Sequence, residues 1–327
     1  MGILTKNKVK IIVLVSILIV ATSAVAWHAW NMGYLAPFTV RIGYLTADIH
    51  HLALFVAREK GWFQGTGMRF QFIESVNGPI EMMRIGAGEI DIGYLGVVPA
   101  TLFKINFGVN VTIVAAANKE GSALVVSSAI NSTSDLNGTK IATPGENTVQ
   151  RYLLALIEGA YGINTVHSPM SPPSTMESAL QSGAISGFIG WEPFPAKSVN
   201  DGVGKILLTS HDIWPDHPCC VLVVSGNFLQ NHPDIVQAIV NIHVSATNFI
   251  LQNPEESVTI GAKYTGQVNA VIQNALTRTT FDYHPDKEGM GTIIEHLINV
   301  GWIPPDKVPS NVTTFLNSFV NTIYIGA

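Results

Sequence analysis

The chain has 327 residues, 47% of them hydrophobic and only 13% charged, with a net charge of −5. That length is enough for two lobes with cores of their own. The mild acidity excludes the basic footprint of a nucleic-acid binder, but not an anionic ligand, which local amide groups can hold whatever the net charge.

Lys6, Lys8 and Lys10 precede an uncharged, largely apolar stretch from Ile11 to Trp27. This is a positive region followed by a hydrophobic one, and Ala24, Val25 and Ala26 offer a small-residue cleavage site. The same stretch just reaches membrane-spanning length, with Trp27 and Trp30 at the outer interface and the lysines inside. Residues 1–36 are therefore expected to be either a cleaved signal or a membrane anchor with a short linker. Either way the body is extracytoplasmic. No cysteine lies near the segment, which excludes lipid modification there. Sequons at Asn110, Asn131, Asn137 and Asn311 are compatible with a glycosylated surface protein.

From Thr39 onward strand and helix patterns alternate. Val40 to Leu45 reads as a strand, and Asp48 as the cap of a helix from Ile49 to Lys60 that Gly61 ends. Met68 to Glu74 is a second strand. Gly78-Pro79 opens a second helix, with proline where its missing N–H costs nothing. Ile90 to Leu95 is a third strand. A second series follows: a strand at 140–142, a helix at 148–159, a capping box Ser174-Thr-Met-Glu177 opening a helix through Gln181, and a strand at 184–189. Strands separated by helices imply parallel βαβ units in doubly wound α/β sheets. After Phe228 the patterns are helical: 233–251, 255–264, 269–276 and 287–300.

Met83 to Ile92 echoes Leu180 to Ile189: in each, a helix breaks at glycine and a strand follows at once. Two apolar runs, Ala123 to Val126 and Val221 to Val224, read as strands that cross between lobes. The expected organisation is lobe 1 over 37–124 and 219–327, with lobe 2 over 125–218 inserted in it. Cys219 and Cys220 fall at the start of the second crossing run and read as two small buried hydrophobes.

In open α/β sheets, ligands bind beyond the carboxyl ends of the strands, where helix amino termini offer free N–H groups and a positive dipole end. That rule selects four loops. They hold Thr46, Asp48 and His51; Asn77 and Gly78; Gly96 and Val97; and Gly145, Asn147 and Thr148. Asp48 with His50 and His51 has the composition of a metal cluster. Adjacent helical residues, however, point about 100° apart, so at most one histidine is expected to share a face with Asp48. No metal or other cofactor is expected.

Several segments together resemble the nitrate/sulfonate/bicarbonate class of ABC solute-binding proteins, a class that includes taurine and thiamine-precursor binders. They are Ile42-Gly-Tyr, Leu54-Phe-Val-Ala-Arg-Glu-Lys-Gly-Trp-Phe63, Gly88-Glu-Ile-Asp-Ile-Gly93, Leu136-Asn-Gly-Thr-Lys-Ile-Ala142, Ala179-Leu-Gln-Ser-Gly183 and Gly190-Trp-Glu-Pro-Phe194. The resemblance implies a type II periplasmic-binding fold of two hinged lobes with the ligand between them. It also implies permease and ATPase partners, a monomer that captures a small solute, and no enzymatic activity. It adds Trp191 and Glu192 to the candidate site and favours His51 of the two histidines.

Glu192 sits in an apolar neighbourhood and needs a partner. The partner is either a donor group on the ligand or a cation within the protein. Trp191 is either core or a platform for a planar ligand. A carboxylate acceptor disfavours nitrate and favours a ligand with a donor, such as a thiamine-precursor-like heteroaromatic. The four loops contain no arginine or lysine, which also weakens the oxyanion reading without removing it. A thiamine-pyrimidine synthase-like enzyme resembles the chain at His51 and loosely at Cys219 and Cys220; the export segment stands against it. There is no nucleophile elbow, phosphate loop or dinucleotide fingerprint.

Overall fold

The computed structural model describes residues 39–326, so the expected signal or anchor lies outside the described residues. Strand β1 (Thr39–Leu45) leads into a 3-10 turn (Ile49–His51) and helix α1 (Leu52–Glu59). The single helix expected from Ile49 is thus split. Asp48 accepts from the His50 N–H, only two residues on, and this tightens the first turn. Strand β2 (Arg69–Ser75), helix α2 (Gly78–Gly86), strand β3 (Ile92–Gly96) and helix α3 (Val97–Phe107) complete the first winding. After β4 (Val111–Glu120) the chain turns at Gly121 into β5 (Ser122–Val126).

The second winding is β6 (Lys140–Thr143), α4 (Val149–Tyr161), β7 (Val166–Pro169), α5 (Ser174–Gln181), β8 (Gly187–Trp191), α6 (Phe194–Asn200) and β9 (Lys205–Thr209). A short helix α7 (Ser210–Ile213) then returns the chain to β10 (Pro218–Ser225). Helices α8 (Gly226–Asn231), α9 (Pro233–Gln252), α10 (Pro254–Thr265) and α11 (Asn269–Leu276), strand β11 (Thr279–Phe281), and helices α12 (Lys287–Asn299) and α13 (Val312–Phe319) follow.

Two expectations shift in detail. Helix α5 begins at Ser174, so the residue in the capping position is Pro173 and the expected capping box does not form. The ladder of β3 starts at Ile92 and not at Ile90, because the Asp91 carboxylate takes the Arg41 backbone N–H at 2.9 Å. Strands β4, β7, β9 and β11 and helices α3, α6, α7, α8 and α13 have no counterpart in the sequence reading. Helix α3 is apolar on nearly every side and carries no stripe for periodicity to find.

The strands form two sheets, ordered β11-β4-β10-β3-β1-β2 and β7-β6-β8-β5-β9. Both share one plan. In the first, β1 and β3 are parallel and β10 runs antiparallel between β3 and β4. In the second, β6 is parallel to β7 and β8, and β5 runs antiparallel between β8 and β9. The echo between the two halves is therefore the same helix-to-strand junction in each, with Gly88 and Gly183 both at φ 75°. Strand β5 is the one by which the chain enters the second sheet, and β10 the one by which it re-enters the first.

Helix α9 is long and apolar enough to span a membrane. Its buried residues Val236, Ile239, Val240, His243, Ala246, Thr247 and Ile250 nonetheless keep helical spacing, and this stripe packs the helix in the body against α1.

Candidate functional site

A narrow cavity of about 10 Å³, room for about one water molecule, lies where the carboxyl ends of the two sheets meet. Leu45, Asp48, His50, Gly78, Gly96, Pro99, Cys219 and Cys220 line it from the first sheet and its helices; Thr148, Val149, Gln150 and Trp191 line it from the second. Helices α2, α3 and α4 all present their amino termini here. Asn77 caps α2 by accepting from Ile80 N–H, and Thr148 caps α4 by accepting from Arg151 N–H. The cap position of α3 is Gly96, which offers no side-chain acceptor. Glycine is also needed at 96 for space: a Cβ there would come within 2.7 Å of Val149, across the cavity. The Trp191 indole N–H is buried and finds no acceptor among the described residues. The lining has hydrogen-bond donors but no arginine or lysine.

Five of the expected residues therefore come together on this cavity: Asp48, Gly78, Gly96, Thr148 and Trp191. The other seven do not line it. Thr46 donates to Ser75 O through its backbone N–H and its hydroxyl. Val97 is buried as the first residue of α3. The Gly145 carbonyl accepts from Thr148 Oγ1, and Asn147 holds the turn before it at φ 60°. Asn77 reaches across to the second sheet's loops, its Nδ2 donating to Pro144 O at 3.0 Å and Ser171 Oγ at 3.3 Å.

Glu192 is wholly buried and already paired. Its Oε1 lies 2.6 Å from Arg278 Nε, and its Oε2 accepts from Ala196 N–H at 3.1 Å. Burial pushes its carboxyl up, and Arg278 pulls against that shift. The cation within the protein is thus the partner, supplied by the end of α11 and 86 residues away in sequence. Its backbone also ties separate pieces: Glu192 N–H donates to Gly121 O, and Glu192 O accepts from Ile49 N–H.

The Asp48 cluster corrects an expectation. Both histidines approach Asp48, not one: His50 Nδ1 is 3.2 Å from Oδ1 and His51 Nε2 is 3.6 Å from Oδ2. The tight 3-10 turn, in place of an α-helix, allows the carboxylate to sit between the two rings. Their backbone partners set opposite ring orientations. His50 Nε2–H donates to Gly121 O at 2.8 Å, so Nδ1 is the nitrogen that faces Asp48 and the two sulfurs. His51 Nδ1 accepts from Leu45 N–H, so its proton is on Nε2.

All three residues are buried. Burial pushes the Asp48 carboxyl up to about 7, against the pull of His50. Burial works against charge on His50, but Asp48 and Cys219 outweigh it and raise the imidazole to about 9. Burial and the neighbouring His50 hold His51 well below the usual range, and so neutral. The cysteines split. Cys219 is lowered by the hydrogen bond from Cys220, with help from His50, while burial pushes Cys220 up.

His50, Cys219, Cys220 and Gln150 are the polar lining residues that the sequence reading passed over. Gln150 lies two residues beyond Thr148, in the first turn of α4. The cysteines had a legible signal: an antiparallel strand returning from the other lobe must begin at the carboxyl edge of its parallel neighbours, which is the cavity.

Residues 35–262 match the NMT1-like family, well over half of the chain. The chain belongs to that family. This NMT1-like protein is 29% identical over 231 residues to a binding protein of Brucella abortus, covering 69% of this chain and 71% of that one. It is 30% identical over 176 residues to the taurine-binding periplasmic protein of Escherichia coli, covering 52% and 54% of the two chains. Its fold is that of the ligand-binding component of an ABC-type import system from Staphylococcus aureus, solved with zinc bound. The TM-score is 0.78 at 22% identity, over 88% of this chain and 98% of that one. The α/β periplasmic-binding architecture and the binding-protein relatives agree with the class named from the sequence motifs.

Proposed function

We propose that the chain is the extracytoplasmic solute-binding subunit of an ABC importer that captures a small anion or sulfonate between two hinged lobes. The observation that carries this reading is the convergence of three helix amino termini on one cavity between the two sheets. Their N–H groups and dipole ends suit a negative group without any arginine or lysine in the lining. The likeness to a taurine-binding protein supports a sulfonate. With the sheets as close as they stand the cavity has room for about one water molecule, so in this reading the lobes open to admit the solute. The heteroaromatic reading leaned on Glu192 as an acceptor for a ligand donor, and that acceptor is occupied by Arg278 and Ala196.

In this reading each sheet with its helices is one lobe, and the hinge lies at the two passages between the sheets, Gly121 and residues 210–217. The amino-terminal segment places the body on the outer side of the membrane, by cleavage or as an anchor. A permease and an ATPase receive the solute, and the protein carries out capture without chemistry.

The test is a thermal-shift and calorimetric screen of taurine, alkanesulfonates, nitrate and bicarbonate against a thiamine-precursor pyrimidine. At a ligand concentration about 100 times Kd, a true ligand stabilises the fold by about 2.7 kcal/mol. The expected result is a shift with at least one sulfonate or oxyanion and none with the pyrimidine. The reverse pattern overturns the anion reading.

A further inference from the structure

We propose that His50, Cys219 and Cys220 form a metal site in the cavity wall for a thiophilic cation of the zinc(II) class. This goes beyond solute capture and does not depend on it.

The distances carry the argument. His50 Nδ1 lies 3.7 Å from Cys219 Sγ and 3.6 Å from Cys220 Sγ, and the two sulfurs are 4.0 Å apart. A tetrahedral zinc with ordinary Zn–S and Zn–N bonds holds its ligands roughly 3.8 Å apart for sulfur to sulfur and roughly 3.6 Å for sulfur to nitrogen. The three donor atoms therefore already stand close to the edges of one coordination tetrahedron.

Two local features produce this arrangement. Successive residues of a regular strand point to opposite faces. Here β10 breaks register with β4 on both sides of Cys220, and Asn118 Oδ1 takes the Cys220 N–H at 3.2 Å. The irregularity turns both thiols to one side. The second feature is the orientation of the His50 ring. Its Nε2–H is committed to the Gly121 carbonyl, so Nδ1 faces the sulfurs and becomes the ligating nitrogen once its proton is lost, and a metal-bound histidine is normally held in this way through its other nitrogen.

Gly121 is fixed for the same purpose. Its φ is +86°, and a Cβ there would collide with His50 Nε2. The alternative set of Asp48, His51 and Cys220 also brings its donor atoms together. It fails on the tautomer, because His51 accepts from Leu45 N–H and presents a proton at Nε2. Two sulfurs and one imidazole favour zinc over a hard cation. Three protein ligands leave a fourth position, beside which stands Asp48 Oδ1, 3.2 Å from His50 Nδ1. Binding releases the remaining thiol protons and the His50 Nδ1 proton to solvent.

The experiment uses the full chain, purified under reducing conditions and freed of chelator. Titration with cobalt(II) is expected to give a thiolate-to-cobalt charge-transfer band that saturates at one equivalent and is displaced by zinc. Cys219→Ser, Cys220→Ser and His50→Ala should each weaken binding by more than the roughly 100-fold that loss of an outer-shell partner costs. His51→Gln should leave the band in place. Zinc X-ray absorption on the unmutated chain needs no variant to fold, and it should count two sulfur neighbours at roughly 2.3 Å. A zinc shell of nitrogen and oxygen only, or a cobalt band that survives in the folded double cysteine variant, overturns the proposal. These spectra do not depend on sulfonate or oxyanion binding, so failure here and failure of the capture reading are read separately.

Discussion

At the residue scale, Glu192 shows how a local reading goes astray. A carboxylate in an apolar stretch has to find a positive partner, and within the cavity loops the sequence offers none. The partner, Arg278, comes from a helix far along the chain, and pattern reasoning has no means of pairing the two. The pair is a strong one because Glu192 is fully buried and Arg278 is only 16% exposed. Removing one member leaves a buried charge uncompensated. Arg278→Ala is therefore expected to cost about 3–5 kcal/mol of stability. Adding Glu192→Gln should recover much of that loss, since the amide can still accept from Ala196. Urea unfolding of the two variants checks this; a loss below about 1 kcal/mol for the single variant would show that water has replaced the arginine.

At the element scale, the most family-specific run is structural. In Arg58-Glu-Lys-Gly-Trp62, the Arg58 guanidinium stacks over Phe72 and Tyr264, Glu59 pairs with Lys263, Lys60 pairs with Glu256, and Trp62 packs edge-on to Phe249. All of these except the Phe72 contact join α1 to α9 or α10. The run names the family because it fixes the helices behind the cavity, while the residues that line the cavity lie elsewhere. This is why the family was legible and the site only in part. Backbone-driven features such as helix starts and strand ends followed from capping and periodicity, and they yielded Gly78, Gly96 and Thr148. Features set by tertiary pairing, such as the orientation of the His50 ring and the irregularity beneath Cys220, leave no local pattern.

Helix α9 carries a pH-sensitive bond of the same tertiary kind. His243 Nε2–H donates to Ala116 O at 2.7 Å, and its Nδ1 accepts from Tyr94 O–H at 3.2 Å, so the ring is held neutral between the helix and two strands. Burial pulls its pKa down to about 4. Between about 6.5 and 4 the unfolded ring takes up a proton and the folded one does not. The unfolded state then binds more protons, so this contribution is complete above about 6.5 and is lost as pH falls towards 4. The loss amounts to about 3 kcal/mol. His243→Gln should be less stable than the parent at pH 7, and the gap should narrow by about that amount at pH 4. A gap that stays constant across this window would mean that the ring is solvated.

At the scale of the whole molecule, the issue is what holds the two sheets closed over a cavity. Besides the Ile49 to Glu192 backbone bond and the Arg278–Glu192 ion pair, Asn77 ties the two sides at the cleft mouth. Its Nδ2 donates to Pro144 O and Ser171 Oγ, and Ser171 Oγ donates back to Val76 O at 3.2 Å. Asn77 Oδ1 meanwhile caps α2. The two roles separate cleanly in Asn77→Asp, which keeps the capping oxygen and removes both donors. The new carboxylate also faces the Pro144 carbonyl, so the tie becomes a repulsion. Each lost hydrogen bond is worth about 0.5–1.5 kcal/mol, so the closed form should lose roughly 1–3 kcal/mol relative to the open one. Where binding requires closure, the apparent Kd rises by the inverse of the closed fraction. The variant should therefore show a larger radius of gyration than the parent by small-angle scattering without solute, and solute binding weakened by up to roughly 5- to 150-fold. Its thermal unfolding without solute should stay near that of the parent, because the cap is intact. An unchanged radius together with unchanged affinity would mean that Asn77 is a helix cap alone, and that closure is governed by the Gly121 and 210–217 passages.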